Sequence, residues 1–147
     1  MRVNQILARK RSDVVQLSPS ATVGTAIGLM RQHHVGAVLI LDEERGLLGV
    51  LSERDVVHAF ASDPLNLLDR PALEIARRDN PTAAPDDAVH TIMEVMTATH
   101  SRHVPVVRFG RVIGIISIGD VVKSRIEEQS QENAVLQEIA RAQYFAN

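Results

Sequence analysis

Gly49–Val57 reads GVLSERDVV, and Gly114–Val122 reads GIISIGDVV. Gly, Ser, Asp, Val and Val occupy the same five positions in both, and two further positions hold a branched aliphatic in each. Sliding the chain by 66 residues extends the match. SPSATVGTAIGLMRQHH (Ser18–His34) then lies on APDDAVHTIMEVMTATH (Ala84–His100). Pro19 meets Pro85, Val23 meets Val89, Ile27 meets Met93, Met30 meets Met96 and His34 meets His100. AVLIL (Ala37–Leu41) lies on HVPVV (His103–Val107), and dropping one turn residue brings Gly49 onto Gly114. The nonapeptide is the end of a repeat of about 45 residues, a period that makes each copy one supersecondary unit.

Each copy has one plan. A short extended lead-in (VVQL, PTAA) reaches a proline and a polar helix start. An amphipathic helix follows, with Val23, Ile27 and Met30 at helical spacing in copy one. Val89, Ile92, Met93 and Met96 form the stripe of copy two. Two aliphatic runs separated by a polar, glycine-bearing turn predict a hairpin. A second helix follows each nonapeptide (RDVVHAFA, GDVVKSRIEEQ). The expected fold is α/β (α+β), with two tandem β-α-β-β-α units. A unit this small buries too little surface alone, so the two should pack on each other about a pseudo-twofold axis. The expected boundaries are residues 1–63 for the first unit with its N-terminal segment, 64–80 for a linker, 81–128 for the second unit and 129–147 for a C-terminal helix. The linker carries Pro64, Pro71 and Pro81, with a short helix expected around Ala72–Ala76. In the C-terminal helix Val135, Leu136, Ile139 and Ala142 form a narrow apolar stripe suited to a dimer mate.

Composition narrows the function. Aromatics are 3% of 147 residues, so the core must come from Val, Ile, Leu, Ala and Met. The formal charge of −2 gives no electrostatic reason to expect nucleic acid or an anionic membrane. The absence of cysteine removes thiolate catalysis, disulfides and cysteine zinc sites. No apolar run reaches the ~18 residues of a transmembrane helix, and MRVNQILARKRSD turns charged too early for a signal peptide, so the default compartment is the cytoplasm. The histidine pairs His33–His34 and His100/His103 lack a zinc-ligand spacing, and no metal site is expected. Neither a Walker loop nor G-x-G-x-x-G is present.

The pattern Gly-aliphatic-aliphatic-Ser-x-x-Asp closing a β-α-β-β-α unit, with the Pro105–Val107 strand, resembles the CBS domain. Two in tandem resemble a Bateman module of the small stand-alone bacterial type, over residues 1 to 128. The resemblance implies an adenine nucleotide in the cleft between the units: AMP foremost, or NAD, ADP, ATP or S-adenosylmethionine. It implies a homodimer, a regulatory role without catalysis, and an effector protein still to be identified. Copy one has Leu39 where copy two has Pro105.

Ser52-x-x-Asp55 and Ser117-x-x-Asp120 have two readings. A Ser at the N-cap with an acid three residues later is a capping box and requires no ligand. The same geometry places unpaired helix N–H groups where a phosphate can sit, and an acceptor-only carboxylate suits ribose hydroxyls. The resemblance implies the second role for Asp55, and above all for Asp120 with Ser117 and Ile118. It also implies that Arg102 and His103 face the phosphate of the Asp120 ligand, and that Val15, Gly36 and Ala37 hold its adenine. Arg54 stands inside the first motif where Gly119 stands in the second, so the two pockets should differ. The rival readings are a structural dimer whose motifs are only caps, and a nucleotide-processing enzyme, for which no nucleophile is readable.

Overall fold

The computed structural model describes residues 1–10 and 14–146. Its elements, in order, are α1 (Val3–Arg9), β1 (Gln16–Leu17), α2 (Val23–His33), β2 (Ala37–Asp42), β3 (Gly46–Ser52) and α3 (Glu53–Ser62). A single 3-10 turn (Leu67–Asp69) and the short α4 (Ala72–Ile75) make the connection. α5 (Val89–Thr99), β4 (His103–Arg108), β5 (Arg111–Ser117) and α6 (Ile118–Ala146) complete the chain.

The two copies fold alike. β2 pairs antiparallel with β3, and β4 with β5. Each ladder has its irregularity at the same repeat position, after Ile40 and after Val106. β1 runs parallel to β2, with Gln16 opposite Leu39. In the second copy the lead-in strand shrinks to one parallel bridge, where the Ala83 N–H donates to Pro105 and the Ala83 carbonyl accepts from Val107. α2 and α5 both end in a left-handed residue, His34 (φ 52°) and His100 (φ 54°). The histidines that align in the repeat are therefore helix C-caps.

Two features depart from expectation. The N-terminal stretch forms α1, whose Val3 and Ile6 are buried among Val89, Ile92, Met96, Val104 and Ile116 of the second unit. The linker does the same for the first unit, where α4 buries Ala72 beside Leu17, Met30 and Leu51. The two insertions match in detail. The Val3 N–H donates to Asp87 and the Val89 N–H to Met1. Likewise, the Ala72 N–H donates to Ala21 and the Val23 N–H to Arg70. Each unit is thus completed by the segment that precedes the other one. The second departure is at the C-terminus. The expected separate helix at 129–147 is continuous with the second motif's helix, as the 29-residue α6, because no Gly or Pro interrupts the sequence between Lys123 and Ala146. Asn147, its expected last residue, lies outside the described residues.

The repeated glycines sit beneath these insertions. A Cβ on Gly49 would lie 3.1 Å from the Arg77 carbonyl oxygen and 3.3 Å from the Ala76 Cβ. One on Gly114 would lie 2.6 Å from Leu7 Cδ2. Between the units the sheets meet through Ala37, Leu39 and Val50 on one side and Val112 and Ile115 on the other. Leu39, which replaces proline in the repeat, is 1% exposed in that seam.

Candidate functional site

Both Ser-x-x-Asp motifs lie at a strand end that turns directly into a helix, and both are capping boxes. At the first, the Ser52 N–H and Oγ–H both donate to Asp55 Oδ2 at 2.9 Å, and the Asp55 N–H donates to Ser52 Oγ at 3.2 Å. At the second, the Ser117 N–H donates to Asp120 Oδ2 at 2.9 Å and the Asp120 N–H to Ser117 Oγ at 3.2 Å. The N–H beginning each helix is satisfied across the molecule. Glu53 N–H donates to the Gly36 carbonyl and Ile118 N–H to the Arg102 carbonyl. Two N–H donors at each helix start are therefore already used, and a bound anion draws correspondingly more on side chains.

The surroundings of the two carboxylates differ. Asp55 opens into a cleft of about 340 Å³ between the units, walled by Gly36, Ser52, Arg54, Arg77, Asn80 and the His100–His103 turn. Three guanidiniums (Arg54, Arg77, Arg102) face two carboxylates there (Glu53, Asp55). Arg77 forms a fixed wall: its Nη1 donates to Ser101 Oγ at 2.6 Å and to the Thr99 carbonyl at 3.0 Å, tying the linker to the second unit. Asn80 Oδ1 is buried in the same wall without a hydrogen-bond partner among the described residues. The His103 ring packs over Gly36, where a Cβ would come within 3.3 Å of Nε2. Burial first, then the nearby Lys10 charge, holds the His103 imidazole below its ordinary pKa, against the opposing pull of Glu53 and Asp120.

Asp120 is engaged differently. Its Oδ2 accepts from Lys10 Nζ at 2.8 Å, and the same ammonium donates to the Ile115 carbonyl at 2.9 Å. Burial raises the Asp120 pKa, but the Lys10 hydrogen bond, the Ser117 N–H and the Lys10 charge outweigh it, so the carboxyl stays below its usual range.

The residues singled out from sequence thus fall into two groups. Gly36, Ser52, Arg54, Asp55, Arg102 and His103 gather at one cleft. Arg102 and His103 line the Asp55 cleft, yet they also adjoin the second motif, where the sequence reading put them: His103 pairs with Ser117 across the ladder, and the Arg102 carbonyl accepts from the Ile118 N–H. Ser117, Ile118 and Asp120 stand at the second motif, apart from that cleft. Ala37 is buried in the seam opposite Ser52, and Val15 packs on the first core with its carbonyl bonded to the Leu39 N–H. Sequence reasoning missed Arg77, Asn80, His100 and Ser101. The only signal for Arg77 and Asn80 was the basic, polar run ARRDN (Ala76–Asn80) in what read as a linker, whereas His100 stood out only as the repeat partner of His34.

Comparison with known proteins bears on this geometry. The family model of the CBS domain matches residues 3–62 and 72–127. The crystal structure of a CBS-domain containing protein from Agrobacterium tumefaciens is 38% identical, with a TM-score of 0.81 over 85% of this chain and 99% of that one. A CBS domain protein from Pyrobaculum aerophilum, solved in complex with AMP, is 30% identical, with a TM-score of 0.73 over 82% of this chain and 89% of that one. The mitochondrial CBS domain-containing protein CBSX3 of Arabidopsis thaliana is 32% identical over 115 residues, which are 76% of this chain and 56% of that protein. The chain therefore spans little more than half the length of that relative.

Proposed function

The chain belongs to the CBS-domain family, as a tandem pair, and from that premise we propose that it is a regulatory sensor of an adenine nucleotide, with AMP as the first candidate, bound in the Asp55 cleft. The observation that carries this reading is the convergence of Asp55, three arginines and the unpaired Asn80 Oδ1 on one inter-unit cleft. Its ~340 Å³ falls within the range of small-molecule sites. Asp55 spends only Oδ2 on its cap, so Oδ1 is open to the ribose hydroxyls. Arg54 and Arg102 suit a phosphate, as planar fork donors do. A buried acceptor without a partner costs about 1–3 kcal/mol, and the exocyclic amine of adenine is a donor that would relieve it at Asn80. The AMP complex of the P. aerophilum relative supports the nucleotide class. The ligand bridges Arg54 and Asp55 of one unit to Arg102 and His103 of the other, so it acts by favouring the closed arrangement of the two. A homodimer that presents the change to an effector protein completes the reading. The exposed Val135, Leu136 and Ile139 on α6 support that assembly.

One observation favours a second reading: both capping boxes are fully formed without a ligand. Calorimetric titration with AMP, ADP, ATP, NAD, S-adenosylmethionine and adenosine, on wild type and Asp55→Ala, separates the two. Sensing requires binding that disappears in the variant, while melting falls only by the loss of a cap, about 1 kcal/mol. No binding of any of these to wild type leaves the caps as the whole role of the motifs. Steady turnover of a nucleotide would instead make the protein an enzyme.

A further inference from the structure

We infer that the pair takes one nucleotide per chain, at the Asp55 cleft, because Lys10 holds the second motif shut. The inference rests on the proposed role of Asp55 as the ribose-reading group. By the repeat, Asp120 is the carboxylate that should read a second ribose. Its position is filled from within the chain: Lys10 Nζ bridges Asp120 Oδ2 and the Ile115 carbonyl, and both side chains of the ion pair are 24% exposed.

The ammonium is held by the fold and not by a loose tail. Lys10 caps the end of α1, its N–H bonded to the Ile6 carbonyl at 3.0 Å. α1 in turn is anchored by Val3 and Ile6 in the second core and by Leu7 against Gly114. The corresponding segment over the first unit carries Arg77, but that guanidinium is directed to Thr99 and Ser101. Among the described residues no cation lies within ion-pair distance of Asp55. The hollow of about 170 Å³ that Asp120 and Lys10 share lies between α1 and α6, lined by Met1, Ile6, Lys123 and Ser124, and not between the two units. Asp120 Oδ1 accepts no hydrogen bond among the described residues, but a ribose that takes both carboxylate oxygens must displace Lys10 Nζ from Oδ2, a cost of about tenfold in affinity that Asp55 does not carry.

The test is binding stoichiometry, measured by calorimetry with AMP on wild type, Lys10→Met, Asp120→Ala and Lys10→Met/Asp55→Ala. Methionine keeps the apolar stem and removes the charge. The expected results are one site in wild type, one site of unchanged affinity in Asp120→Ala, and a second site in Lys10→Met. That second site survives in the double variant. Two sites in wild type, or a lost or weakened site in Asp120→Ala, would overturn the inference while leaving nucleotide sensing intact. So would a folded Lys10→Met that still takes one AMP. If Lys10→Met fails to fold, the wild-type count together with Asp120→Ala still decides. Absence of AMP binding in wild type removes the reading of Asp55 and this inference with it.

Discussion

Replacing Gly49 with alanine tests why the nonapeptide begins with glycine. The new Cβ would stand 3.1 Å from the Arg77 carbonyl oxygen and 3.3 Å from the Ala76 Cβ, so backbone must give way. Arg77 cannot yield freely, because its N–H and its carbonyl both bond to Val50 at 2.9 Å. Overpacking of this kind costs about 1–3 kcal/mol. Removing a strand glycine returns about 0.5–1 kcal/mol through the unfolded chain. The net is a loss of up to about 2.5 kcal/mol, centred at about 1 kcal/mol, and at about 2–4 °C per kcal/mol for a chain of this size, melting should fall by up to about 10 °C. Gly114→Ala is the control. Its contact with Leu7 is closer, at 2.6 Å, but it is made with the end of a flexible side chain, which can change rotamer. That variant should lose less than Gly49→Ala. Thermal unfolding followed by circular dichroism at matched concentration reads both. If Gly49→Ala melts at or above wild type, or if Gly114→Ala is the more damaged of the two, the account of the linker as a rigid lid over β3 is wrong.

Two further predictions concern pH and assembly. His103 has an ordinary pKa of 6.5 when unfolded and a lower one when folded. The unfolded chain therefore takes up the proton first, and stability is full above pH 6.5 and falls as pH drops through the folded value. Urea unfolding at stepped pH should show this decline in wild type and a flatter curve over the same interval in His103→Gln. The exposed stripe on α6 should hold two copies together. Wild type is expected to sediment as a dimer and Leu136→Glu/Ile139→Glu as a monomer of unchanged helix content, and a dimeric double variant would remove α6 from the interface.

The repeat made the fold legible because alternation and helical spacing survive in both copies. The strands around Leu39 and Val106 and the helices from Val23 and Val89 follow directly from them. α1 escaped because a short helix was masked by charge, although Val3, Ile6 and Leu7 already stand at helical spacing. Its place on the second unit was not legible at all, since nothing local in VNQILAR names Val89 or Ile116 as its neighbours. The motifs showed where a site could be built, but their charge partners were invisible. Lys10 meets Asp120 across 110 positions of chain, and Arg77 reaches Ser101 only because the linker doubles back along β3. The sequence favoured Asp120 on its motif alone, without sight of Lys10 beside it or of the cleft that Asp55 lines.

The crossed insertions also govern the order in which the molecule can be finished as it is made. The first unit needs nothing beyond Arg77, its last bridging residue, and can close before the second unit is synthesised. The second unit is completed by Val3 and Ile6, which are made before any of the first unit. Those side chains must wait, exposed, until Ile116 and Val121 of the second unit have been made. Closure of the second unit is then a late event joining segments that flank the whole first unit, the slow kind of contact in folding. It fixes Lys10 beside Asp120 in the same step.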